Sequence, residues 1–384
     1  MAIRIEPYHR DHEPAVVEFN CRLQTAHDPA LVFSQSSVPR WLPPASEHPV
    51  WNEFYVARDG EAVRGAYALK QEAMFVRGKG EHRIACYHHP LSEGVIDRAY
   101  TSVGILLARD ALARQPFLYA LGMGGAETPI AKMLKALGFT LTPIPFYFHV
   151  VNSTAFLREM KALRENHSRA QMMDIAAASG IGSVGIKVAQ AFAGWRSHSA
   201  KPSATFTVDE VAEFSDADAI SLDELWSGAK EAVSFATVRD AKTMRLLYPA
   251  HTYLAHVAST RKLRVSRDGR VIGWAIIGIR RKDAKFGEMR VGSMVDCWAK
   301  PEDAATVIRA ASDALEKDNV DLIVSNQSHQ AWQSALERAG FLKGPTNFIF
   351  ATSKKLSELL GPSLKDDASF HVTRADGDGL PANF

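Results

Sequence analysis

Tyr87, His88, His89 and Glu93 bring four titratable side chains together at the exit of a strand-like run over residues 83–87. A histidine titrates near neutrality and a carboxylate does so once partly buried, so His88, His89 or Glu93 has the chemistry of a general base, with the Tyr87 phenol beside them. The same His-His-Pro-Leu composition also suits an exposed turn. Asp296 is a second candidate. In residues 291–298, Val291, Ser293, Val295 and Cys297 alternate with Met294, Asp296 and Trp298. A carboxylate on that face can hold an amine or hydroxyl, or pair with Arg290 or Lys300. Asn326, at a strand end, is either a turn residue or a substrate ligand.

Other patterns exclude chemistry. Gly180, Gly182 and Gly185 satisfy GxGxxG, but no strand precedes them and no acidic residue follows at the spacing of a dinucleotide site. Cys21, Cys86 and Cys297 are isolated, and His88-His89 lacks a third ligand at useful spacing, so reduced thiols and no metal are expected. With 45 Lys and Arg against 43 Asp and Glu, the net charge of +2 gives no whole-molecule field for a nucleic acid or an anionic membrane. No nucleic-acid partner is expected. The chain opens on a strand-like pattern without a basic and then apolar leader, which points to the cytoplasm. The uncharged stretch 175–186 is too short to span a bilayer.

The elements that position these residues read as two units of mixed α/β type, 1–155 and 205–355, with a helical connector at 156–204 and a tail at 356–384. Each unit runs strand, helix, hairpin, long strand, helix, strand, helix, strand, with hairpins turning near Gly60 and at Asp268-Gly269. Helices are expected at 100–114 and 129–137 and again at 302–318 and 330–339. A last strand is expected around 144–151 in the first unit and 348–352 in the second. Gly138-Phe139 and Gly340-Phe341 end the same helix in both units.

That order resembles the GNAT acyltransferase fold, doubled, and its two-lobed form is similar to the Fem-type aminoacyltransferases. The resemblance implies acetyl-CoA or another acyl-CoA as cosubstrate, seated where the fourth strand parts from the fifth, with amides at the start of the central helix on its pyrophosphate. Here that loop is Ala99, Tyr100, Thr101, Ser102, Val103 and Gly104, with Arg98 as the nearby base. Arg98, Ser102, Val103 and Gly104 are therefore the expected donor contacts. The second unit has no glycine between Val295 and Glu302, and Pro301 removes an amide, so it is not expected to hold CoA in this way. The family's acid is a tyrosine where this chain has Leu134 and Leu336. Residues 370–379 resemble the closing strand of GNAT-like proteins of surface-polysaccharide biosynthesis, which brings Asp376 and Asp378 toward the site. The alternative is a frayed terminus.

The activity implied is N- or O-acyl transfer to a small polar acceptor such as an amino sugar or amino acid, held between the units. Fem-like aminoacyl transfer and a non-catalytic binding role are the alternatives. For an amine acceptor with a pKa of about 10.4, deprotonation at pH 7 costs roughly 4–5 kcal/mol, against about 2 kcal/mol on the thiol side. A base is the more necessary group.

Overall fold

The computed structural model describes residues 3–26, 33, 48–160, 167–179, 181–196, 205–249, 259–283, 287–361 and 367–377. The chain begins with β1 (Arg4–Pro7), α1 (Glu13–Ala26), β2 (Val50–Asp59), β3 (Ala62–Val76), β4 (Gly80–Ser92), α2 (Val103–Arg114), β5 (Leu118–Gly122), α3 (Pro129–Ala136), β6 (Thr140–Pro143) and β7 (Phe146–Val150). Three helices follow, α4 (Ser153–Glu159), α5 (His167–Ser179) and α6 (Ile181–Arg196). The order then repeats through β8 (Phe206–Val211), α7 (Asp216–Ala229), β9 (Phe235–Thr237), α8 (Ala241–Leu247), β10 (Ser259–Arg267), β11 (Arg270–Asp283), β12 (Gly287–Ala299), α9 (Ala304–Lys317), β13 (Leu322–Asn326), α10 (Gln330–Arg338), β14 (Leu342–Gly344) and β15 (Ile349–Thr352). Last come α11 (Lys354–Leu360) and β16 (Phe370–His371).

Local sequence explains the repeated joints. Asp268 and Gly269 sit at φ +50° and +74° between the paired Arg267 and Arg270, the two left-handed residues that a type I′ hairpin turn requires. Gly138 and Gly340, at φ +87° and +81°, end α3 and α10. The amides of Phe139 and Phe341 reach back to Leu134 O and Leu336 O at 3.0 Å, and both rings are buried. Leu134 and Leu336 are thereby committed to the core.

Two mixed sheets result. One has the order β1-β2-β3-β4-β5-β15-β6 and the other β14-β7-β13-β12-β11-β10-β8. Helix α2 covers one face of the first sheet through Val103, Leu107 and Ala111, while α1 covers the other through Val16, Phe19 and Leu23. In the second sheet α9 and α10 pack on one face, and α7 and α8 on the other.

The sheets do not divide where the chain order suggests. The strand expected at 144–151 leaves β6 as a separate β7, which pairs with β13 and β14 of the second sheet. In exchange β15 inserts between β5 and β6 of the first. Alternation marks a segment as a strand but carries no information on which edge it joins. The helical stretch expected from 218 to 247 is broken by β9, which pairs antiparallel with the end of β3 and parallel with β16. The C-terminal segment is therefore part of the fold, and Phe370, Val372 and Asp376 are buried.

In the GxGxxG stretch, Gly180 lies outside the described residues, and Gly182 and Gly185 are inside α6. A Cβ on Gly182 would come within 2.5 Å of the Leu157 side chain, so that glycine serves helix packing. Among the described residues no helix is long and apolar enough to cross a membrane.

Candidate active site

The first unit's central strands part early. Parallel pairing of β4 with β5 is confined to Ala85↔Leu118 and Cys86↔Tyr119. Strand β4 then continues along β3 to Ser92 across a bulge at His88–Pro90, with His89 at φ +50°. His88 and His89 are thus residues of a strand and its bulge, not of an exposed turn, because the β3 ladder resumes beyond them at Leu91 and Ser92. Bulges of this kind recur beside active sites, where they bend a strand out of its ladder.

Above this parting, α2 begins. The amides of Gly94, Ala99, Tyr100 and Thr101 are already bonded, to Ser92 Oγ, Asp97 Oδ1, Asp97 O and Arg98 O at 2.9–3.3 Å. Those of Ser102, Val103, Gly104 and Ile105 make no bond among the described residues, and the first helical bond runs from the Leu106 amide to Ser102 O at 3.1 Å. The free donors are a narrower set than the whole loop. A Cβ on Gly104 would meet only Met133 Sδ at 3.8 Å and Ser92 Cβ at 3.9 Å, so protein packing does not require this glycine. At Gly94, by contrast, a Cβ would lie 2.6 Å from Tyr100 O. Ser102 and Arg98 are exposed at the loop, while the Val103 side chain is buried under α2 and only its amide faces outward chemistry.

Alternation separates Tyr87 from His88. The Tyr87 ring packs in the α2 core, 5.4 Å from that of Tyr67, and its hydroxyl is buried without a partner. Burial raises that phenol well above its ordinary range. His88 faces the other side with Cys86 and, across the ladder, Ala68 and Lys70. It is buried, its ring 5.0 Å from that of His89. Glu93 is also buried, and its carboxylate is held by Arg22 Nε at 2.8 Å and by Arg64 Nη1 at 2.9 and 3.0 Å. Two guanidiniums occupy the oxygens that a base would use, so Glu93 ties α1 and β3 to the loop instead.

On the His88 face of the sheet lies a polar cluster that the sequence reading passed over. Lys70 Nζ stands 3.4 Å from Glu72 Oε2 and donates to Ala375 O and Asp376 O at 3.4 Å. The Tyr119 hydroxyl, on the last paired residue before the parting, donates to Glu72. Burial works to lower the Lys70 ammonium, but Glu72 overrides it and keeps the group charged. Burial raises the Glu72 carboxyl, with Lys70 opposing and Asp376 adding to the rise. Lys70 and Glu72 were detectable in principle: they are two charges on one face of β3 between the apolar stretches 65–69 and 73–76.

The cluster continues into the second unit. Arg239 grips Asp296 through Nε and Nη2 at 3.0–3.2 Å and reaches Asp376 at 3.3 Å. Asp296 also accepts from Tyr248 Oη, Thr373 Oγ1 and the Cys297 amide at 3.0–3.1 Å. Its partner is Arg239 and not Arg290 or Lys300, because Asp296 lies on the inner face toward α8. Burial, outweighed by Asp296 and Asp376, leaves the guanidinium raised and permanently charged. Asp376 belongs to this buried cluster, with Thr237 donating to it. Asp378 lies outside the described residues.

The second unit's strands also part, after Met294↔Ser325, but the chain's own end fills the place. Thr373 bridges to Gln327, Val372 O accepts from the Ser328 amide at 3.2 Å, and His371 Nε2 donates to Cys297 O at 3.2 Å. Asn326 is consumed there: Arg374 donates to its Oδ1 at 2.8 Å and its amide donates to Pro145 O at 3.2 Å. Its expected role on substrate gives way to anchoring the tail. Gly377 packs on Leu121 of β5, so one segment touches both units. Among the described residues no group of three His, Cys, Asp or Glu side chains could hold a metal ion.

No family model matches the chain, and no curated protein matches it in sequence. Solved structures do match in three dimensions. N-myristoyltransferase of Saccharomyces cerevisiae, with bound myristoyl-CoA and inhibitors, is 10% identical at a TM-score of 0.54, covering 91% of this chain and 79% of that one. A probable N-acyltransferase of Enterococcus faecalis gives 10% and 0.52, over 93% and 74%. An N-acetyltransferase of the GNAT type from Anabaena variabilis gives 9% and 0.52, over 91% and 72%. At these identities the likeness establishes architecture and leaves the chemistry to the residues.

Proposed function

Taking the doubled GNAT fold as premise, we propose that the chain is an acyltransferase whose first unit holds acyl-CoA and whose acceptor, a small amine or hydroxyl compound such as an amino sugar or amino acid, comes from the side between the units. One observation carries the reading: the β4–β5 ladder stops at Cys86↔Tyr119 beneath a helix start with four amides that make no bond among the described residues and with room for a methyl group at Gly104.

The thioester supplies an activated carbonyl. The amides of Ser102 to Ile105, at the positive end of α2, bind the pyrophosphate, and Arg98 adds a nearby positive charge. His88 takes the acceptor's proton, which offsets the roughly 4–5 kcal/mol needed to make an ammonium neutral at pH 7. The neutral amine nitrogen then bonds to the carbonyl carbon, the carbon–sulfur bond breaks, CoA leaves as the thiolate, and the nitrogen's second proton passes to solvent. The Lys70–Glu72–Tyr119 group fixes the floor of the parting, since Tyr119 is bonded below the last pair.

Titration calorimetry with acetyl-CoA and longer acyl-CoAs tests this directly. One site per chain is expected, and flat traces for every donor would overturn the proposal. A second reading, donor binding without turnover, draws on Leu134 filling the acid position and on Glu93 being held by two arginines. Release of free thiol in the presence of amino sugars or amino acids decides between the two.

A further inference from the structure

Carried two residues past its last pair, Cys86↔Tyr119, the parallel register of β4 and β5 would set His88 opposite Leu121. Alternation puts both on the face that holds Cys86 and Tyr119, away from the α2 core. His88 and Leu121 are therefore the two sides of the parting on the face where the acceptor's proton is taken, and both are buried.

The chain's own end helps to bury Leu121. A Cβ on Gly377 would stand 2.9, 3.0 and 3.1 Å from Leu121 Cβ, Cγ and Cδ2. Gly377 has φ −128°, which any residue adopts, so what this position requires of glycine is close approach and not a left-handed turn. The two residues before it are held at the same place. Lys70 Nζ donates to Ala375 O and Asp376 O at 3.4 Å, and the Tyr119 hydroxyl lies within reach of Asp376 O and of Glu72. The Thr373 amide donates to Asp376 Oδ2 at 2.7 Å, which fixes the turn that delivers them.

An acyl group with its carbonyl at His88 thus has Leu121 across the gap and the Tyr119 hydroxyl below it. Behind Leu121 stand a backbone segment and a buried ion pair, Lys70 and Glu72, with no hydrocarbon lining for further methylenes to meet. A longer chain would have to part Gly377 from Leu121 and break the bonds of Lys70 to the tail. Resting on the acyl-CoA reading, we infer that Leu121, backed by residues 375–377, sets the length of the transferred group, and that the donor is a short-chain acyl-CoA, acetyl or propionyl. The first unit's site is then completed by a segment that follows the second unit in the chain.

Titration calorimetry of the full chain with acetyl-, propionyl- and octanoyl-CoA tests this. Acetyl- and propionyl-CoA are expected to bind within about threefold of each other, and octanoyl-CoA roughly tenfold or more weaker. Leu121→Ala should bring octanoyl-CoA back to within about threefold of acetyl-CoA. Leu356→Ala, the same truncation elsewhere in that apolar cluster, should leave the ratio as in the parent, which tells an opened gap from a loosened core. Should Leu121→Ala not fold, Leu121→Val is read in its place, with a smaller shift in the same direction, and the parent's own donor profile needs no variant. Octanoyl-CoA binding as tightly as acetyl-CoA, a Leu121→Ala ratio equal to the parent's, or an equal shift in Leu356→Ala overturns the inference and leaves the acyl-CoA reading standing. Absence of binding by every donor overturns that reading and this inference with it.

Discussion

The two units share a strand order and differ in what meets the place where their central strands part. In the first, β4 and β5 separate after two pairs, below a helix start whose amides make no bond among the described residues and whose Gly104 leaves room. In the second, β12 and β13 hold four pairs and then receive Phe370 to Thr373, bonded to Cys297 on one side and to Gln327 and Ser328 on the other. Its helix begins behind Pro301, which has no amide to offer. A duplicated scaffold does not imply a duplicated site. Here one copy keeps a parting that a ligand can enter, and the other uses it to anchor the C-terminus and join the sheets.

The hardest blow to this contrast is at Arg239, the cation between Asp296 and Asp376. Arg239→Met leaves two buried carboxylates uncompensated and should cost about 3–5 kcal/mol in urea unfolding. A loss below about 1 kcal/mol would show that the tail is not held as described. A smaller effect separates the helix starts. Gly104→Glu sets a carboxylate among the free amides and should weaken acetyl-CoA binding by about a hundredfold, at a stability change within about 1 kcal/mol. The matched change in the second unit, at exposed Lys300 before α9, should leave affinity within about twofold. Equal losses from Gly104→Glu and Lys300→Glu would erase the distinction between the units.

Within the first unit, the two base candidates separate in the same manner. Glu93→Gln should lower stability by about 1–3 kcal/mol, because Arg22 and Arg64 lose a buried acceptor charge, while kcat stays within about threefold. His88→Gln should do the reverse, lowering kcat at pH 7 by about a hundredfold with little loss of stability. A collapse of kcat in Glu93→Gln at unchanged stability would restore Glu93 as the base.

Most of the architecture was legible, because hairpin turns, helix-ending glycines and apolar alternation are local signals. Asp268-Gly269 and Gly138-Phe139 behave as their sequences require. The exchange of β7 and β15 was not legible, since edge choice is a global property of packing. A helix beginning near Ser102 to Gly104 was readable as a local pattern. The surroundings of Tyr87 and Glu93 were not legible, for different reasons: strand parity sets the side that Tyr87 faces, and Glu93 is held by arginines that stand 71 and 29 residues away in sequence. Arg239 escaped notice because it follows β9, a three-residue strand inside a stretch that reads as helix.

The mildest effect is also the one that reports on the filled side alone. Burial holds the His371 imidazole well below its ordinary 6.5, with Arg239 and His329 adding to the depression and Asp376 and Cys297 O opposing it. Burial lowers His329 and His149 as well. A histidine kept neutral in the fold binds no proton at a pH where the unfolded chain does, so its contribution is complete above about pH 6.5 and is lost as pH falls below that value. Glu72 works in the opposite sense, because a raised carboxyl favours the fold on acidification. Replacing one histidine isolates the first trend from the second. Between pH 6 and 5 the His371→Gln variant should show a stability slope shallower than the parent's by up to about 1.4 kcal/mol per pH unit, one proton's worth. Glutamine keeps a donor for Cys297 O, so the tail stays seated while the titrating group is gone. Parallel slopes for the two proteins would mean that water reaches His371, and that the second parting is less completely filled than the bonds of Thr373, Val372 and His371 require.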